Sequence, residues 1–328
     1  MRSGSLRPAP LPLLRWADSA SRLDAAHRRG ELHRVSRGVF APAAAWHTLR
    51  PSERYLARVH AYAATHPDAI FMLEAAAVLY GLPVAGRLDD VHVLSPGTAA
   101  GRRVAGVRFH VTGEERRMRR EDGILVVAPE ELAVDIARAR HPAIALMTAD
   151  AVLRSIGGGA HDLLLARNED RASSRGRAAA RWALERATPL AESALESISR
   201  AVIEWLGYPH PDLQVAFHPS DGLHYRADMF WPEERVIGEA DGRVKYDGTH
   251  GDGATAVWEE KRREDELRRH VAGFARWGHA DVRLVDPFDA ILRTAGLRPL
   301  RPRSEHPLLT LRAALERRES TAAPRIHG

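Results

Sequence analysis

Asp228, Glu239 and Asp241 are the residues of this sequence best placed to do chemistry. Glu239 and Asp241 stand two apart in Val236-Ile237-Gly238-Glu239-Ala240-Asp241-Gly242, whose apolar opening reads as a core strand. Side chains alternate faces along a strand, so these two carboxylates project from one face. Asp228 lies in the preceding stretch, Tyr225 to Trp231, which a turn at Pro232-Glu233-Glu234 folds back as the partner strand. Three carboxylates converging across such a hairpin repel one another unless a hard cation joins them. Mg2+ (or Mn2+) suits the place, because it favours oxygen ligands and keeps waters that can act as nucleophiles. Glu196, on a predicted helix just upstream, offers a fourth carboxylate from one side.

Two cations belong with this group. Of the 48 basic residues only Lys245 and Lys261 are lysines, and both follow the acidic run closely. Where arginine is used nearly everywhere, a retained lysine marks a place that wants a compact ammonium able to give up a proton. Either lysine is a candidate to orient a water or to stabilise negative charge developing on a phosphorus centre.

The elements that must position these residues are legible in outline. A helix is predicted over Leu190 to Gly207, strands over Leu213–Phe217, Tyr225–Trp231 and Arg235–Asp241, and a glycine-rich loop over Asp247–Gly253. A long charged helix from Thr255 to Trp277, a strand from Asp281 to Val285 and a helix from Phe288 to Ala295 complete an α-β-β-β-α-β order. The tail after Leu300 is expected to be loose. Upstream, Gly157-Gly158-Gly159 and the polar run Arg167 to Arg177 read as a linker. The stretch from Pro51 to Gly157 mixes helices (Ser52 to Thr65, Ala69 to Tyr80, Pro129 to Ala139, Pro142 to Ser155) with strands at Val91–Leu94 and Val107–Val111.

At the start of the chain, Ser21 is the expected N-cap of a helix from Arg22 to Arg29, stopped by Gly30. Leu32–Val35 and Gly38–Phe40 follow as two short strands with a tight turn at Ser36-Arg37. A helix followed by a basic hairpin is the outline of a winged helix. Arg22, Arg28, Arg29, Arg34 and Arg37 gather on it, which makes them candidates for contacts to DNA phosphates and one groove.

Composition bounds the rest. A chain of 328 residues exceeds one typical domain, and 45% hydrophobic residues suffice for real cores. The complete lack of cysteine removes disulfides, thiol nucleophiles and cysteine-based zinc sites. The most apolar run, Ala69 to Ala85, is broken by Glu74, Gly81 and Pro83 and is too short for a membrane span, while Pro8, Pro10 and Pro12 interrupt any apolar leader. A cytoplasmic protein with no membrane contact is expected. A net charge of +5 and a pI near 9.9 favour nucleic acid as partner. No Walker loop, G-x-G-x-x-G, G-x-S-x-G or H-E-x-x-H occurs, and the 17 histidines show no ligand spacing.

Glu196, Asp228, Glu239-Ala240-Asp241-Gly242, Gly242-Arg243-Val244-Lys245-Tyr246 and Trp258 to Asp265 together resemble the PD-(D/E)XK nuclease superfamily, and within it a small Vsr-like branch of bacterial endonuclease domains. The resemblance implies hydrolysis of a DNA phosphodiester by a metal-activated water, with Asp228 and Glu239 on the metal. That pattern calls for lysine two positions after the glutamate, where this chain has Asp241; Lys245 and Lys261 are the candidates to supply the cation, and if neither reaches, the domain binds DNA or metal without cutting. The run Gly30-Glu31-Leu32, Arg34-Val35, Arg37-Gly38-Val39-Phe40 is similar to the winged-helix start of AbiEi-type antitoxins, the repressor half of a type IV toxin–antitoxin pair. That similarity continues through Ala75-Ala76-Ala77 with Gly81-Leu82 and Asp122-Gly123 with the Pro129 helix, over roughly residues 1–155.

The expectation is therefore an α/β multi-domain chain. It has a winged-helix-like DNA-binding module at 1–45, an α+β middle domain at 46–157 and a linker at 158–188. A restriction-endonuclease-like domain at 189–300 and a loose tail at 301–328 follow. Two functions are expected of it: a Mg2+-dependent DNA endonuclease with a regulatory N-terminal half, or a non-catalytic DNA-binding regulator of antitoxin type carrying a degenerate nuclease fold. A cognate toxin gene product is then a further partner.

Overall fold

The structure, a computed structural model, describes residues 5–95, 101–217, 225–241 and 271–316. At the start of the chain β1 (Leu14–Arg15) leads into α1 (Trp16–Arg28), β2 (Leu32–Ser36) and β3 (Val39–Pro42), and the strands pair antiparallel in the order β1-β3-β2. The helix starts at Trp16, not at Arg22, so Ser21 lies inside it rather than capping it. Asp18 in the first turn, held by Arg15 at 3.2–3.3 Å, complements the helix N-terminus earlier than the serine does. Gly30, at φ +77°, ends the helix as expected, and the hairpin turns at Arg37-Gly38 with Gly38 at φ +75°. Helices α2 (Ala43–Thr48) and α3 (Pro51–Ala63) follow. Leu11, Ala41, Trp46 and Ala57 form a small local core, with His33 stacked on Trp46 at 4.4 Å.

Next comes a mixed six-stranded sheet in the order β6-β7-β5-β4-β9-β8. Its strands are β4 (Ile70–Phe71), β5 (Val91–Ser95), β6 (Arg103–Val104), β7 (Val107–Val111), β8 (Met118–Glu121) and β9 (Ile124–Val127). Part of the helix expected from Ala69 to Tyr80 is strand: Ile70-Phe71 joins the sheet between β5 and β9, and only α4 (Leu73–Leu79) is helical. A β-branched and an aromatic residue offered two ladder partners go to the sheet despite the helical periodicity around them. Asp122-Gly123, at φ +51° and +77°, makes the two-residue turn between β8 and β9. Helices α5 (Pro129–Ala139) and α6 (Pro142–Ile156) pack on the sheet.

The expected linker at 158–188 is built structure. After a 3-10 turn, α7 (His161–Asp170) and α8 (Arg177–Glu185) bury Leu164, Ala180, Ala183 and Leu184. The polar run between them is not solvated: Arg171 is 6% exposed and reaches Glu131 at 2.5 Å and Asp135 at 3.2 Å on α5. Charges that read as loop composition are here turned inward and paired.

The last unit begins with α9 (Ala194–Trp205), N-capped by Ser193, whose hydroxyl accepts from Glu196 N at 3.1 Å. Strands β10 (Asp212–Phe217), β11 (Tyr225–Trp231), β12 (Val236–Ala240) and β13 (Gly273–Trp277) form a sheet in that order. The first three run antiparallel and β13 is parallel to β12. Of the helix expected over Thr255–Trp277, residues 255–270 lie outside the described residues and Gly273–Trp277 is strand. A Cβ on Gly273 would sit 1.9 Å from the Ala295 carbonyl oxygen, so this glycine lets β13 pass close to the backbone beyond it. The strand expected over Asp281–Val285 is instead α10 (His279–Leu284), started by Asp281 Oδ2 accepting from Gly278 N at 2.8 Å. Then come α11 (Asp286–Thr294) and, in the expected loose tail, α12 (Glu305–Leu315), which buries Leu308 and Leu311. Residues 317–328 lie outside the described ones.

One hydrophobic core runs from Leu6 and Phe71 through α6 and α9 to Trp277 and Leu311. Asp150 on α6, fully buried, fixes the junction by accepting from Thr188 N at 2.8 Å and Arg200 Nη1 at 2.9 Å. Among the described residues no helix is long and apolar enough to cross a membrane.

Candidate functional site

The five arginines singled out near the start of the chain all reach solvent. Leu23 is buried and the His27 ring lies 5.5 Å from Phe40, which turns one face of α1 onto the hairpin and leaves Arg22, Arg28 and Arg29 outside. Arg34 extends from β2 and Arg37 sits at the hairpin tip. Arg29 is held by Glu31 through bonds of 2.6 and 3.1 Å, which spends part of its charge locally. Among the described residues Arg22, Arg28, Arg34 and Arg37 make no ion pair, so their guanidinium groups remain available to an anionic partner.

In the C-terminal sheet, the register Met229↔Gly238 puts Asp228 across from Glu239 on the neighbouring strand, and Ala240 N donates to Asp228 Oδ2 at 3.0 Å. Both carboxylates are half-buried. The Tyr225 hydroxyl donates to Glu239 Oε1. Burial first, and then the negative charge of Asp228, push the Glu239 carboxyl up to about 7, against the pull of the Tyr225 hydrogen bond, a backbone hydrogen bond and the Arg276 charge. A carboxyl with such a value can exchange a proton near neutral pH.

The wider constellation does not assemble as expected. Asp241 lies beyond the end of β12, exposed, with its N–H donating to the Trp277 carbonyl at 2.8 Å. Glu196 is 4% exposed, and its Oε2 accepts from Glu192 N at 2.8 Å and Gln214 Nε2 at 2.9 Å, so it completes the cap of α9. Among the described residues no three acidic or histidine side chains converge as a metal-holding group. Lys245 and Lys261 lie outside the described residues.

Three features were missed. Tyr225 was read only as a strand start. Arg276, paired in register with Glu239 on β13, was hidden inside a stretch read as helix; the alternation Phe274, Arg276 against Ala275, Trp277 would have signalled it. The third is a buried polar chain in the six-stranded unit. Arg140 holds Glu74 through bonds of 2.5 and 2.8 Å, Glu74 Oε2 lies 3.4 Å from His92 Nε2, and His92 Nδ1 lies 2.8 Å from His110 Nε2. Burial drives His92 down to about 4, so it is neutral and carries its ring proton on one nitrogen. Nothing in the spacing of these four residues announces the contact.

Residues 69–186 match the family model described as the AbiEi antitoxin C-terminal domain. That segment runs from β4 to the end of α8 and includes most of the stretch expected as linker. Two proteins of Mycobacterium tuberculosis are similar, "Uncharacterized protein MT2308" of strain CDC 1551 / Oshkosh and "Uncharacterized protein Rv2248" of strain ATCC 25618 / H37Rv. Each is 37% identical over 171 residues, covering 52% of this chain and 62% of theirs. This chain therefore spans less than two thirds of the length of the curated relatives it matches. No solved structure matches it.

Proposed function

We propose that this protein is a DNA-binding regulator of the antitoxin type, with a cognate toxin gene product as its partner in the same operon. The match of residues 69–186 to an antitoxin domain carries this reading. It stands downstream, after α2 and α3, of a helix and basic hairpin whose Arg22, Arg28, Arg34 and Arg37 face solvent. In a winged-helix arrangement α1 enters a groove and the β2–β3 hairpin lies along the backbone, where guanidinium groups contact phosphates and fix register. The comparisons favour this reading over the nuclease expectation, since the family model that matches is that of an antitoxin domain. A mobility-shift experiment with DNA from upstream of its own gene tests it: binding should be specific and should be lost in the Arg34→Ala, Arg37→Ala double variant. Equal shifts by the double variant would place the interface elsewhere.

A second reading rests on the Asp228–Glu239 pair. Two half-buried carboxylates facing each other across neighbouring strands, one of them raised to about 7, suit a hard oxygen-seeking cation that relieves their repulsion. Asp228 and Glu239 would hold Mg2+ or Mn2+, and the ion would activate a water for phosphodiester hydrolysis. In that reading Tyr225 fixes the rotamer of Glu239 by donating to Oε1, and α9 backs the sheet through Trp277 Nε1 on Ser199 Oγ at 2.8 Å. Nicking of supercoiled plasmid in Mg2+ or Mn2+, abolished by Asp228→Ala, supports it; an uncut plasmid, or equal cutting by the variant, removes it and leaves the first reading standing alone.

A further inference from the structure

Resting on the second reading of the C-terminal unit, we infer that Arg276 is a phosphate-contacting cation of the Asp228–Glu239 site. The register assigns the row. Asp228 on β11 faces Glu239 on β12, and Glu239 pairs with Arg276 on the parallel strand β13. Paired residues on adjacent strands put their side chains on the same side of the sheet, close enough to interact directly. The opposite side is the core side: Met229, Ala275, Trp231 and Trp277 are buried there, and Trp277 is bonded to Ser199 of α9.

On the carboxylate side, Arg276 is exposed, with its guanidinium carbon 5.7 Å from the centre of the Phe274 ring. Stacking on an aromatic face steers an arginine along the sheet rather than straight into water. Among the described residues the row runs from two acidic groups to a cation at the sheet's β13 side. A guanidinium presents a planar fork that matches phosphate oxygens, and it stays charged at every working pH. A phosphodiester lying across the row would set one oxygen on Arg276 and bring its phosphorus toward the carboxylate pair. The contact is non-covalent: Arg276 binds and orients, and transfers no proton.

The test uses the full chain carrying Arg34→Ala and Arg37→Ala, so that the N-terminal contact is removed, with and without Arg276→Gln. Anisotropy of a short fluorescent duplex is followed in Ca2+ over a range of salt. Loss of one phosphate contact lowers the slope of log Kd against log salt by about 0.9 and weakens binding at low salt. Arg276→Lys should restore the slope while recovering affinity in part. Calorimetry with Mn2+ alone should give the same affinity for the Arg276→Gln protein to within about threefold, because the carboxylates are untouched. An unchanged slope and Kd overturn the inference, as does a loss of Mn2+ binding or a lowered melting temperature, either of which makes Arg276 structural. If the plasmid is left uncut but the slope falls, cleavage is refuted and the phosphate contact stands.

Discussion

Replacing Glu239 with glutamine removes a charge that the fold accommodates poorly. Burial and the neighbouring Asp228 raise this carboxyl from its ordinary 4.5 to about 7. Between those values the folded protein keeps a proton that the unfolded chain gives up. The group's favourable contribution is therefore complete below pH 4.5 and is lost as pH rises through 7. The full difference corresponds to about 3 kcal/mol at pH 8. Glu239 is only half-buried, and solvent screening reduces the figure to roughly 1–2 kcal/mol. Glutamine keeps an oxygen to accept from the Tyr225 hydroxyl, so the main change is the lost charge. Glu239→Gln should then raise stability by roughly 1–2 kcal/mol at pH 8 and leave it unchanged near pH 4.5. Urea denaturation in the presence of a chelator, at several pH values, reads this directly. A variant that is equally destabilised at all pH values would refute the reasoning, because it would make Glu239 an ordinary structural hydrogen-bonding group rather than a carboxylate held at the expense of stability.

Other expectations follow from the buried charges. Arg171→Ala leaves Glu131 and Asp135 buried beside fewer cations, and should cost about 3 kcal/mol even though Arg116 and Arg167 remain near them; a loss below about 0.5 kcal/mol in chemical denaturation would show that those two suffice. His92, whose folded value is about 4 against an ordinary 6.5, has the opposite pH signature to Glu239. Its contribution is present above 6.5 and is lost as pH falls through 4, so melting curves of His92→Gln should be flatter than those of the parent over that window. Gly273→Ala forces a Cβ against the Ala295 carbonyl and should lower the melting temperature sharply; a soluble variant with unchanged melting would mean β13 shifts freely.

Much of the C-terminal sheet was legible because its strands are short, apolar and punctuated: Tyr225–Trp231 has the bounds read from sequence, and Asp228 and Glu239 face each other as alternation requires. The errors have a common cause. Ile70-Phe71 and Gly273–Trp277 have helical neighbours in sequence, yet both become strands because distant strands pair with them (β5 and β9 on either side of the first, β12 beside the second), a long-range fact that local periodicity does not contain. The linker at 158–188 failed for a related reason. Arg171 looks like loop composition until Glu131 and Asp135, some forty residues away, are known to face it. Glu196 lies on the expected helix, where the position three residues after Ser193 suits a capping glutamate as well as a carboxylate offered to the acidic pair. Motif spacing does not separate those two roles; the hydrogen bonds from Glu192 and Gln214 do.

The regulator reading turns on specificity for DNA, so the most direct measurement is the ratio of two dissociation constants at physiological salt, one for DNA upstream of its own gene and one for a scrambled duplex of equal length. A ratio of roughly a thousand or more, falling toward one in the Arg34→Ala, Arg37→Ala variant, is the predicted result. Equal affinity for both duplexes in the parent protein would contradict it.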